Sequence, residues 1–140
     1  MYSFRKSKKG FTLIELMVVV AIIGVLALLG LRLYTGQQQK AKNAIVKANA
    51  GTVQTLIQAE LADSVADDVW DDMVNTNPSV LISASGIHVP DGDAQTVNGT
   101  SADVGFVTVT YDDATEVFLI NGNGFSGGAP VYTEGLTARK

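Results

Sequence analysis

A single carboxylate, Glu15, stands inside an otherwise uncharged run from Phe11 to Leu31, FTLIELMVVVAIIGVLALLGL. At about 1.5 Å rise per residue, such a run reaches about 30 Å as a helix, the depth of a bilayer hydrocarbon core. An acidic side chain in that medium costs about 2.5–3.5 kcal/mol even on lenient insertion scales, so Glu15 requires a compensating cation. Chemistry elsewhere in the chain is thinner. His88 is the only histidine and there is no cysteine. No Ser/His/Asp spacing, thiol nucleophile or glycine-rich phosphate loop of recognised form is present, so the chain is not expected to be an enzyme. Flanked by Ile87 and Val89, His88 reads as an ordinary strand residue. Asp91-Gly92-Asp93, followed by Asn98 and Asp103, offers the oxygen donors that calcium takes, but without EF-hand spacing. The segment reads first as a solvated turn. No cofactor is expected, and Asp91, Asp93 and Asp103 stand only as weak calcium candidates. Asn98-Gly99-Thr100 matches the N-glycosylation acceptor tripeptide.

Charge is divided sharply along the chain. Met1 to Gly10 carries Arg5, Lys6, Lys8 and Lys9 and no acid. Phe11 to Ala50 has four bases, Arg32, Lys40, Lys42 and Lys47, against Glu15, a net +3. Gly51 to Lys140 has thirteen acids against Arg139 and Lys140, a net −11. An acidic body of this kind repels polyanions, which argues against direct nucleic-acid binding.

Basic residues immediately before the apolar run stay cytoplasmic by the positive-inside bias, which places the chain beyond Arg32 on the other side. An ordinary secretory signal would have an apolar region of about 7 to 15 residues and a small-x-small cleavage site. Here the run is longer, and Ala27-Leu28-Leu29-Gly30 is a poor site. A plain anchor fits the length but leaves Glu15 unexplained. The stretch Lys8-Lys9-Gly10-Phe11-Thr12-Leu13-Ile14-Glu15-Leu16 resembles the leader and N-terminal motif of type IV prepilins and of the pseudopilins of type II secretion.

That resemblance, which covers about forty residues, implies cleavage after Gly10 by a membrane prepilin peptidase and N-methylation of Phe11. Cleavage would create an ammonium at Phe11, four residues before Glu15. The two charges can then neutralise each other within a chain or between neighbouring subunits, and pairing between neighbours would fix their axial register. Many members of the family carry a proline where Arg32 stands here, so a melted stretch between Gly24 and Arg32 is not implied for this chain.

These residues need a long helix to carry them. Residues 1–10 read as a leader, 11–33 as the hydrophobic helix, 34–62 as its amphipathic continuation and 63–140 as an acidic head. In the continuation, Ala41, Ile45, Ala48, Val53, Leu56, Ile57 and Leu61 suggest one apolar face. Acids at Asp63, Asp67, Asp68, Asp71 and Asp72 oppose the helix dipole and predict a break there, with a short second helix over 68–74 capped by Asp67. Strands are expected at 80–83, 87–89, 104–111, 115–120 and 130–133, with a hairpin turn at Asp112-Asp113-Ala114 and a looser connection from Asn121 to Gly128.

The fold class is α+β, a small antiparallel sheet laid on the amphipathic half of a long helix. The function expected is that of a structural subunit of a type IV pilus, a helical homopolymer, with the membrane, a prepilin peptidase/methyltransferase and an assembly platform as partners. A pseudopilin is the alternative within the same physics. A membrane-tethered binding module is the alternative of another class.

Overall fold

Leucine, valine, isoleucine and alanine fill the first part of the chain, and alanine, glutamine and lysine the next, so helix is favoured throughout. The computed structural model describes residues 10–75, 82, 85–93, 95, 104–125 and 129–140. It shows one continuous helix, α1, over Leu13–Asp63. Gly24, Gly30, Gly36 and Gly51 all lie within it and none breaks it. The chain divides into two compact units, Met1–Gln37 and Gln38–Lys140. In the first, every described residue is exposed, from Phe11 to Leu33 and Tyr34.

The second unit begins on the polar part of α1. Val46, Ala50, Val53, Ile57 and Leu61 are buried, a strict i, i+4, i+3 stripe. The expected face is therefore right at Val53, Ile57 and Leu61 and wrong at Ala41, Ile45 and Ala48, which are exposed. None of the three falls on the stripe; Ile45, one residue before Val46, is turned about 100° away from the sheet. As expected, the helix ends at Asp63, and α2 follows at Ala66–Asn75. No basic residue occupies the last turn of α1. Lys140 serves instead, its ammonium donating to the Ser64 carbonyl at 3.1 Å, where a cation suits the helix C-terminus.

Three antiparallel strands complete the body: β1 (Val107–Asp112), β2 (Val117–Gly122) and β3 (Leu136–Arg139), in the order β1-β2-β3. Val109 pairs with Ile120, Tyr111 with Phe118, and Phe118 with Ala138. Alternation sends Val107, Val109, Phe118, Ile120 and Ala138 into the core beside Ala50, Val53, Ile57 and Leu61, while Leu119 faces out. Gly122 allows the closest approach of β2 to α1. A Cβ there would run into Val46 and stand 3.0 Å from the Val131 Cγ2.

The hairpin falls where it is expected. Asp112 Oδ1 accepts from the Ala114 N–H at 3.2 Å and Oδ2 from the Thr115 hydroxyl at 2.6 Å. Other expected strands are displaced. Residues 87–89 shrink to a single bridge at His88, with the Gln95 N–H donating to the Ile87 carbonyl at 3.1 Å, because the Gly92 N–H donates to the Val89 carbonyl at 2.9 Å and closes a turn with Pro90 and Asp91 at its centre. Residues 130–133 contribute only the Asn123–Pro130 bridge, because Asn121 binds both the Tyr132 N–H and carbonyl through its side chain. The third strand forms further on, at β3. Of the strand expected at 80–83 only Ile82 is described, and it is buried and helical instead of extended. The leader before Gly10, the tripeptide 98–100, Asp103 and Gly127-Gly128 lie outside the described residues.

Candidate functional site

The start of α1 brings together the residues singled out in the sequence. Gly10, Phe11 and Thr12 precede the helix, and nothing lies within 4 Å of the place a Cβ would take on Gly10. The Gly10–Phe11 bond is thus non-helical, and both residues are exposed, Phe11 to 90%. Immediately downstream, Glu15 Oε2 accepts from the Thr12 N–H at 2.9 Å and from the Thr12 hydroxyl at 2.8 Å. The Thr12 Oγ1 in turn accepts from the Glu15 N–H at 3.4 Å. This is a capping box, with Thr12 as the N-cap and Glu15 at the third helical position.

Thr12 is the functional residue that sequence reasoning missed. The signal was present as Thr-x-x-Glu directly before an apolar run. Its consequence is electrostatic. Glu15 has a local hydrogen-bond partner at the positive end of the helix dipole before any neighbour arrives. Around it, Phe11, Ile14, Leu16, Val18 and Val19 form an open apolar surface. Among the described residues, α1 is the helix long and apolar enough to cross a membrane. An all-round apolar helix with no burial of its own must be covered by lipid or by other helices.

The other candidates are placed in ordinary surroundings. Asp91 Oδ1 receives the Lys42 ammonium at 2.6 Å, and Lys42 also lies 4.7 Å above the Phe125 ring. Asp93 contributes its backbone carbonyl to the Val89 N–H at 2.9 Å. Among the described residues no group of three or more His, Cys, Asp or Glu is placed to hold a metal. The His88 Nδ1 lies 2.8 Å from the Gly86 carbonyl, and the His88 carbonyl accepts from the Asn49 amide at 2.8 Å. Polar residues of α1 stitch the body to the helix in the same way. Gln54 and Gln58 donate to the outward carbonyls of β3 at Thr137 and Arg139, both at 2.8 Å, which blunts an exposed strand edge.

Tyr111 ties α2 to the sheet through its hydroxyl, which donates to Asp67 Oδ1 at 2.9 Å. Desolvation, and then the hydrogen bond to Asp67 and the negative charges of Asp67, Asp113 and Glu116, push its phenol up to about 12 from 10.0. The folded value lies above the unfolded one, so the stability carried by the neutral phenol is complete below pH 10 and lost as pH rises towards 12. Thermal melts between pH 9 and 12 should show a steeper alkaline loss for the native chain than for Tyr111→Phe. Parallel profiles would rule this coupling out.

Comparison with known proteins bears on the same segment. Residues 5–31 match a family model described as the prokaryotic N-terminal methylation motif. The chain is 36% identical over 106 residues to a type IV major fimbrial protein FimA of Dichelobacter nodosus, covering 74% of this chain and 63% of that protein. It is 47% identical over 55 residues to the fimbrial protein EcpB of Eikenella corrodens, covering 39% and 35%. To the type IV major alpha-pilin of Moraxella bovis it is 30% identical over 79 residues, covering 56% and 50%. These matches span between about a third and two thirds of the relatives' own length. No solved structure matches the chain. The fold has an α+β, pilin-like layout, a long N-terminal helix with a small antiparallel sheet, and over the matched parts of its length the chain is similar to type IV fimbrial proteins and pilins.

Proposed function

We propose that the chain is a structural subunit of a type IV pilus. It is held first as a single-pass precursor in the cytoplasmic membrane with its basic leader inside. A prepilin peptidase/methyltransferase cuts it after Gly10 and methylates Phe11, and an assembly platform draws it into a filament that is a helical homopolymer outside the cell. The observation that carries this reading is the first unit: an apolar helix exposed on every side, opened by Thr12 and Glu15 and preceded by an accessible Gly10–Phe11 bond. In the filament, Glu15 turns from Thr12 to the Phe11 ammonium of an adjacent subunit. That ion pair offsets desolvation of the carboxylate and sets the axial spacing between subunits.

Mass spectrometry of the native N-terminus tests the pathway directly. The expected species begins at methylated Phe11. A chain that retains Met1, or one that starts beyond Leu29, overturns the proposal.

A further inference from the structure

We propose that the acid-lined aromatic cleft beside α2 receives the lysine-bearing side of α1 from a second copy of this chain. The inference rests on the filament reading above and adds a contact between bodies that the reading leaves open. Packing accounts for only one side of α2. Ala66, Val69 and Met73 are buried and Trp70 packs against the core, while Asp67, Asp68, Asp71 and Asp72 are all exposed. Asp67 with Asp71, and Asp68 with Asp72, stand at i, i+4, where like charges repel. Asp72 also lies in the last turn, where the helix dipole disfavours an anion. Among the described residues, Asp67, Asp68 and Asp72 form no ion pair. Folding of one chain accounts for Asp67 and Asp68 in the first turn and for the Asp67–Tyr111 bond, but not for exposed Asp72 at the other end of the helix.

The cleft itself has a volume of about 430 Å³ and is lined by Asp67, Trp70, Asp71, Tyr111 and Asp113. Trp70 and Tyr111 stack with ring centroids 5.7 Å apart, and the Tyr111 hydroxyl fixes Asp67. Carboxylates set around aromatic rings suit an ammonium, which gains both charge pairing and attraction to a ring face.

The complement is carried by the same sequence. Residues 11–50 hold a net +3 and residues 51–140 a net −11. Lys40 and Lys47 are exposed and seven residues apart, which sets them about 10 Å apart on one side of α1. Neither forms an ion pair among the described residues, whereas Lys42, turned to another side, is paired with Asp91. The Lys47 ammonium lies 5.6 Å above the Tyr132 ring of its own body. Docking of a basic patch on a different, acidic patch of the next copy is a heterologous contact, the kind that propagates as an open helical fibre.

The test uses the full-length chain in its native assembly background, with sheared fibre yield as the readout. Asp71→Lys with Asp113→Lys leaves the Asp67–Tyr111 bond in place and is expected to lower fibre yield about tenfold or more, since like charges at an interface cost several kcal/mol. Lys40→Glu with Lys47→Glu is expected to do the same. Combining all four should restore the yield, which a folding defect would not allow. Normal yield from either reversed pair, or no restoration on combining them, overturns the contact and leaves the filament reading standing. Absence of fibres from the unsubstituted chain, with Met1 retained, overturns both.

Discussion

Glu15→Ala should leave the chain in the membrane, cut after Gly10, and lower its incorporation into fibres at least about a hundredfold. Removing one partner of a buried ion pair costs about 3–5 kcal/mol, because the other charge is left uncompensated, and a hundredfold corresponds to the low end of that range. On the proposed pairing, the uncompensated group is the Phe11 ammonium of a neighbour. Loss of the capping box alone is a smaller effect, about 0.5–2 kcal/mol, and cannot unmake a helix of 51 residues. Thr12→Val separates the two contributions. It removes the hydroxyl that donates to Glu15 at 2.8 Å but keeps the carboxylate and the backbone donor, so fibre yield should fall by no more than about thirtyfold. Membrane fractionation and sheared-fibre quantification would report both. Normal yield from Glu15→Ala, or an equal loss from Thr12→Val, would sink the inter-subunit pairing.

What the sequence discloses and what it hides follow from the range of the forces involved. The membrane-length run, the break after Asp63, the second helix and the first hairpin are local, and each is visible in periodicity or in turn chemistry. The capping box is equally local, written as Thr-x-x-Glu at Thr12 and Glu15. Face selection on α1 is less local. Ile45 and Val46 are equally apolar, and only contact with the sheet decides that Val46 is buried while Ile45 stays 45% exposed. Least legible is β3. Leu-Thr-Ala-Arg carries one large apolar residue and no distinctive pattern, and its place is fixed by pairing with β2, by Gly135 at φ +74° before it, and by Gln54 and Gln58 along its free edge. Residues 130–133 look more strand-like, yet the side chain of Asn121 claims their backbone.

Phe118→Ala is expected to destabilise the body by about 3–5 kcal/mol, the cost of truncating a fully buried phenylalanine and leaving a cavity. Phe118 sits on the central strand β2, completely buried, with Tyr111 opposite it on β1 and Ala138 on β3. Its ring lies 4.7 Å from that of Tyr111 and 6.4 Å from that of Trp70, so it joins the sheet to α2 as well as filling the core. A domain of this size is stable by about 5–15 kcal/mol in total, so one such truncation removes a large fraction. Leu119 is the internal control. It is the next residue on the same strand but 41% exposed, so Leu119→Ala should cost about 1 kcal/mol or less. Urea unfolding of the two variants gives the comparison, the midpoint moving far more for Phe118→Ala with the slope unchanged. A larger cost for Leu119→Ala would mean that the pleat of β2 faces the other way, since a one-residue slip exchanges every inward and outward side chain. That slip would also take the Phe118 ring away from Trp70 and Tyr111, which line the cleft beside α2. Burial of Phe118 and the cationic docking proposed there therefore depend on the same register.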